Sequence, residues 1–305
     1  MIRILKKIAF LLTTAFLVFA LSKAIIRTLP GDPIDQILAE TGSTVSAQDI
    51  RKELGLDRSY LGSLKDQVAH ALRGDFGISL VQRRPIAPLL KERSIRSIVL
   101  AISAFSLGIP FSFFLALFAT LPNRFRKVVD RIISLHSAFL AAMPTAWFAP
   151  ILAWLFVVKL GWFNLGGSLA LPAVTLAVSL SGFWARAFRE LISDEIKRDH
   201  FRAAQARGTP SLQLIIKHAF LPALGPLSSY FGTQLGSLFA GAVVTETLFD
   251  WPGLGSLFVD SLFKRDYPLI EATLFFSSIF ILSGNLLGDF LHRLLQPKLR
   301  EQENA

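Results

Sequence analysis

Six apolar runs, at 8–26, 98–120, 133–158, 169–188, 222–244 and 269–291, restrict what this chain can fold into. A helix rises ~1.5 Å per residue, so each run is long enough to cross ~30 Å of hydrocarbon. The expected fold class is all-α integral membrane, with about six transmembrane helices. Residues 27–97, between the first two runs, are too polar to cross and read as a periplasmic or extracellular helical insert. The expected domains are an N-terminal transmembrane helix at 1–26, an extracytoplasmic region at 27–97, and a transmembrane domain at 98–300 with a long loop at 189–221.

The chain is 52% hydrophobic with a formal net charge of +10. On a soluble protein that charge would suggest nucleic acid. Here Lys and Arg flank the apolar runs, so the lipid bilayer explains them and no nucleic-acid partner is expected. Cysteine is absent, which removes disulfides, thiol nucleophiles and Cys-based metal sites. Arg3, Lys6 and Lys7 precede the first run, and Ser22-x-Ala24 is a weak cleavage site. The run is long for a signal peptide and more spans follow, so it reads as span one. Lys23, near its end, is expected to snorkel to the interface.

The insert carries its own helical signals. Ser46-Ala47-Gln48-Asp49 resembles a capping box, and its helix should stop at Gly55. Tyr60, Leu64, Val68 and Leu72 sit at helical spacing, and Gly74-Asp75-Phe76-Gly77 is a turn. Pro110 lies inside span two, where neighbouring helices can take up the freed carbonyl.

Charge sets the orientation. Arg124, Arg126, Lys127 and Arg131 follow span two, and Arg186, Arg189, Lys197, Arg198, Arg202, Arg207 and Lys217 follow span four. The loop after span three has only Lys159, and the one after span five has Lys264 and Arg265. The asymmetry puts both termini and the 189–221 loop in the cytoplasm of a multi-pass inner-membrane protein. The insert is also basic, but at about 70 residues it is too long for the rule to govern.

Within that loop, residues 199–226 are too polar to cross. Arg202, Ala203, Ala204, Gln205, Ala206 and Arg207 favour helix, and Gly208 accepts the left-handed backbone that ends one. Thr209 is the expected N-cap of a second helix with Pro210 in its first turn. Small alanines on an exposed helix let another protein approach closely. An ordinary solvated basic helix has the same sequence.

Span five carries Gly232-x-x-x-Gly236 and Ala240, and span six carries Gly284 and Gly288. These pairs suit close helix crossings, or face lipid. Thr233, Gln234 and Ser237 on span five, with Ser277, Ser278, Ser283 and Asn285 on span six, line a polar pathway or bond between helices. Glu246, Asp250 and Trp251 sit at the outer end of span five, before the turn at Pro252-Gly253. Glu246 and Trp251 are candidates for an outer gate, with a plain interfacial turn as the alternative.

No catalytic constellation is present. The histidines at 70, 136, 200, 218 and 292 have no metal-ligand spacing, and no phosphate loop exists. No cofactor or metal is expected, and the chain is not expected to be an enzyme. His136 reads as a helix-packing hydrogen bonder and Asp289 as interfacial.

Asp199, Arg202, Ala204, Ala206 and Gly208 match the coupling loop of ABC-importer permeases. That loop typically reads D-Y-V-R-T-A-R-A-K-G in the oligopeptide/dipeptide/nickel family. Arg207 replaces Lys, while His200, Phe201, Ala203 and Gln205 depart from the pattern. Leu29-Pro30-Gly31-Asp32-Pro33, Gly74-Asp75-Phe76-Gly77-x-Ser79, Met143-Pro144-x-x-Trp147, the string at 241–255 and Arg265-Asp266-Tyr267-Pro268 also resemble that family, in the same order. The resemblance implies a permease subunit that docks an ATPase through Asp199, Arg202, Ala203, Ala204, Ala206, Arg207 and Gly208. It implies a second homologous permease, two ATPase subunits and an extracytoplasmic solute-binding protein. Relatives carry peptides, nickel complexes, glutathione or small sugars. The rival is a self-sufficient secondary transporter or membrane enzyme. It would need intramembrane acidic or histidine relays, and only Lys23, His136 and Asp289 come close.

Overall fold

The computed structural model of the protein describes residues 2–28, 60–120, 126–143 and 145–295. The capping box at 46–49 and the 29–33 turn lie outside them. The regular structure among the described residues is helical, with one isolated bridge between Ile78 and Pro85. In chain order the helices are α1 (Ile2–Thr28), α2 (Tyr60–Leu72), α3 (Ile86–Thr120), α4 (Arg126–Ala142) and α5 (Thr145–Ala153). Then come α6 (Ala170–Ile196), α7 (Asp199–Ala206), α8 (Ser211–Ile215), α9 (Leu221–Leu248), α10 (Leu254–Phe263) and α11 (Tyr267–Leu295). Wider π turns extend α5 through Trp154–Lys159 and join α8 to α9 through Ile216–Phe220.

Among the described residues three helices, α3, α6 and α11, are long and apolar enough to cross a membrane. A fourth crossing follows if α4 and the α5 segment, bent by 98° at their break, form one span. In sequence, Pro144, which cannot donate to a helix ladder, stands between the two. The apolar part of α1, Ala9–Ile25, is shorter. Polar Thr233, Gln234, Thr245 and Glu246 dilute α9. α3 begins at Ile86, well before the apolar run at 98. Its first turns are amphipathic, with Ile86 and Leu90 buried and Lys91, Glu92 and Arg96 exposed, so they extend the helix without being able to cross.

The chain divides into two compact units, Met1–Ile98 with Pro252–Leu282, and Val99–Trp251 with Ser283–Ala305. In the first, Lys23 is buried and donates to Gln67 Oε1 of α2 at 2.7 Å. It therefore does not snorkel, because α2 supplies a partner inside. Phe76 packs edge-on against Phe276, with ring centroids 5.1 Å apart. The expected turn ahead of α3 is present, with left-handed backbone at Gly74 and Gly77 (φ 76° and 78°). Asp266, buried between α10 and α11, accepts from the Ser79 hydroxyl and from the N–H groups of Leu80 (3.2 Å) and Val81 (3.4 Å). At the other end of α10, the Leu254 N–H donates to Ser97 Oγ at 2.7 Å.

In the second unit α6 is the central post. Trp184 is fully buried and stacks on Phe105, with centroids 5.0 Å apart and planes 9° from parallel. Phe231 meets the Trp184 ring edge-on. Ser137 Oγ donates to the Gly182 carbonyl at 2.9 Å, and His136 Nε2 lies 3.1 Å from Ser181 Oγ, so His136 ties α4 to α6. Gly232 of α9 crosses Gly288 of α11 backbone to backbone. A Cβ at Gly288 would stand 2.5 Å from Gly232 Cα, and one at Gly284 would stand 2.6 Å from the Leu235 side chain. These glycines face a helix, not lipid. Gly288→Leu should therefore force the helices apart and cost about 1–3 kcal/mol or more. The expected result is a lower melting temperature of the detergent-solubilised protein, whereas Leu287→Ala on the exposed neighbouring face changes it little.

Candidate functional site

The polar loop folds as helix, glycine, helix. The backbone is extended at Arg198, then α7 opens with Asp199 at its positive end. Phe201 and Ala204 point inward and join a core with Phe188, Ile192, Leu214, Ile215 and Ala219. Arg202, Ala203, Gln205, Ala206 and Arg207 form the exposed face. The loop is also fixed at its rim, since His200 Nε2 lies 2.9 Å from the His218 carbonyl oxygen. Gly208 has φ +78°, and nothing lies within 4 Å of a Cβ placed there. Glycine is needed at 208 for the backbone turn, not for space.

Two expectations change. Thr209 does not cap α8. Its hydroxyl donates back to the Ala204 carbonyl at 2.9 Å, so it closes α7, and Pro210 takes the N-cap position. Thr209 follows a helix end with open carbonyls, and they capture its hydroxyl first. Ala204 is 0% exposed, so it seats α7 on its own chain. Of the three alanines, Ala203 and Ala206 remain exposed.

A second surface lies on α6. The apolar window of this helix is 72% buried, yet Phe183, Arg186 and Glu190 stay exposed along one side, and Val174 on the opposite one. Arg186 Nε pairs with Glu190 Oε1 at 2.8 Å. α9 adds half-buried Tyr230, whose hydroxyl donates to the Phe183 carbonyl at 3.4 Å, and exposed Thr233. Gln234 is half-buried, and the Ser237 side chain lies outside the described residues. Arg186, Glu190 and Tyr230 were not singled out as site residues from sequence. The available signal was an Arg/Glu pair four residues apart at the end of an apolar run.

Glu246 and Trp251 are not at open water. Glu246 is 0% exposed, and Trp251 packs with Leu100, Leu176 and Leu238. The Trp251 N–H donates to the Glu246 carbonyl at 2.8 Å, and Asp250 between them has φ 51°. The segment is a built corner, with its acid and its indole turned inward. No group of three or more potential metal ligands occurs among the described residues.

The sequence model of the family described as "binding-protein-dependent transport system inner membrane component" matches residues 93–301, more than half the chain. The chain belongs to this family. It is also similar to the glutathione transport system permease protein GsiC of Escherichia coli (strain K12), 30% identical over 303 residues, 97% of this chain and 98% of the relative. The proteins of that name from Shigella dysenteriae serotype 1 (strain Sd197) and Shigella boydii serotype 4 (strain Sb227) show the same identity and coverage. The chain is thus a permease subunit of an ABC importer, a multi-pass inner-membrane protein, and that role implies ATPase and binding-protein partners.

Proposed function

We propose that this subunit forms half of a translocation pathway for a peptide-like or similarly small polar solute, and that α7 is the coupling helix on which an ATPase acts. The loop geometry carries the second reading. Phe201 and Ala204 anchor α7 in its own chain's core, and Ala203, Ala206, Arg202 and Arg207 are left on a preformed outer face. Such a helix transmits a push, because it cannot move without the packed residues beneath it. The ATPase must bind the two states of the permease differently for coupling to occur.

The pathway reading rests on the exposed side of α6. Arg186, Glu190, Tyr230 and Thr233 are costly neighbours for lipid tails. A second, homologous permease facing this side would enclose them with water and solute. Glu246 and Trp251 act from behind, holding the shape of the 245–255 corner. Two ATPases and an extracytoplasmic binding protein complete the complex. The solute preference belongs largely to the binding protein, and the relatives named for glutathione make a small peptide the first candidate.

Orientation is tested with single cysteines, since the native chain has none. Asn164→Cys should react with a membrane-impermeant maleimide added to spheroplasts, and Ser211→Cys should react only after permeabilisation. Labelling of Ser211→Cys from outside would place α7 away from the ATPases and end the coupling proposal.

A further inference from the structure

Between α4 and α6 lies a cavity of about 290 Å³, lined on one side by Ser134, Ser137 and Ala138 and on the other by Phe183, Arg186 and Glu190. Arg189, at its edge, is already engaged, pairing with Asp130 through Nε at 2.8 Å and a terminal nitrogen at 3.2 Å. Arg186 differs. Its Nε meets Glu190, while its two terminal nitrogens have no partner among the described residues. One oxygen of Glu190 is likewise left over. The pair thus presents a two-donor fork beside a carboxylate oxygen, next to an apolar wall.

We propose that Arg186 and Glu190 form a solute-contacting station that reads an amino-acid head group, with its carboxylate on Arg186 and its ammonium on Glu190. The planar guanidinium fork matches a carboxylate with two parallel hydrogen bonds. The two charges sit side by side, so they suit a head with both groups on one carbon better than widely spaced termini. Ser134, whose hydroxyl donates to the Asp130 carbonyl at 2.8 Å, borders the station, and Phe183 and Ala138 take the apolar part. An isolated i,i+4 ion pair on an ordinary helix surface contributes little to stability. Here it sits beside exposed Phe183 on a helix whose apolar window is 72% buried, at a cavity large enough for a small head group. The proposal rests on the reading of this side of α6 as the pathway.

The test uses the assembled importer, purified with its ATPases and second permease, carrying Ala138→Cys as a reporter in the cavity. γ-Glutamylglycine is the probe, because it has the amino-acid head and no thiol. It should slow modification of the cysteine by a methanethiosulfonate reagent, and the N-acetylated probe should not. Loss of one charge-assisted contact in Arg186→Gln should weaken this protection about tenfold. The swap Arg186→Glu with Glu190→Arg restores an ion pair. It should not restore protection, because the fork and the carboxylate have changed places. Equal protection by both probes, or full protection in Arg186→Gln or in the swap, overturns the station. Protection that persists only until bound anionic phospholipid is stripped by delipidation also overturns it, in favour of a lipid phosphate. Thr233→Cys tests the pathway separately. Its modification should block transport, and would do so even if the station failed.

Discussion

Ala204→Glu is expected to lower the folded yield of this permease and to release its ATPases, whereas Ala203→Glu and Ala206→Glu release the ATPases alone. The difference follows from where the methyl groups point. Ala204 is enclosed by Phe188, Ile192, Phe201 and Leu214, so a carboxylate there enters an apolar core with no cation to meet it. α7 must lift off to hydrate it, and the helix then no longer presents its outer face. At Ala203 and Ala206 the same carboxylate stays in water until a partner docks. If the partner's groove closes over it, burying an unpaired charge at an interface typically costs ~2–5 kcal/mol, more than tenfold in affinity. Gly208→Val acts through the backbone only, since no neighbour occupies the Cβ position. Its left-handed φ costs about 1–2 kcal/mol, a partial defect. Pull-down of the ATPases, set against membrane abundance for each variant, separates these cases. Full recovery of ATPases with Ala203→Glu and Ala206→Glu would remove α7 from the coupling interface.

The helical class was legible because apolar runs of this length leave the backbone little else to do. The loop was legible because Gly208 has one conformational reason to be there, and the structure has it at φ +78°. Burial within the loop was harder to read. Phe201 and Ala204 are three apart and Ala203 and Ala206 are three apart, so composition marks two stripes on one short helix. Only the bulk of Phe201 hints which one turns inward. Glu246 and Trp251 misled for a related reason. An acid and a tryptophan at a span end normally belong to the interface. Here left-handed Asp250 reverses the chain, and the corner folds them under. The number of spans was the least legible feature. A run of apolar residues does not show whether a proline such as Pro144 splits it into a sharply bent pair, nor how far a polar amphipathic extension prolongs a helix.

The second large effect is expected at Asp266, in a string that resemblance marked without a reason. Its side chain reaches from the α10–α11 corner to the turn before α3 and receives three donors there, from Ser79, Leu80 and Val81. The Ser79 oxygen in turn accepts from the Gln82 N–H at 2.9 Å, and the Arg83 N–H closes the turn on the Ser79 carbonyl at 2.9 Å. One carboxylate therefore holds together the Gly74–Ser79 and Arg265–Pro268 strings, far apart in sequence. Asp266→Ala leaves those donors buried without an acceptor. At ~1–3 kcal/mol for each, the loss should reach about 3–5 kcal/mol, among the larger effects of a single substitution. Asp266→Asn keeps an oxygen for the Leu80 N–H and lets its amide donate to the Ser79 hydroxyl, but the Val81 N–H loses its acceptor, so it should fall between. Ser79→Ala removes one donor whose partner is still served by the other two, and an acceptor of the Gln82 N–H that water can replace at this exposed residue, and should be mildest. Thermal unfolding in detergent ranks the three. Gln82→Cys reports the turn itself, since its thiol should react faster with maleimide once Asp266→Ala frees the segment. A melting temperature and a labelling rate unchanged by Asp266→Ala would show that the turn is held by its own backbone bonds and not by this carboxylate.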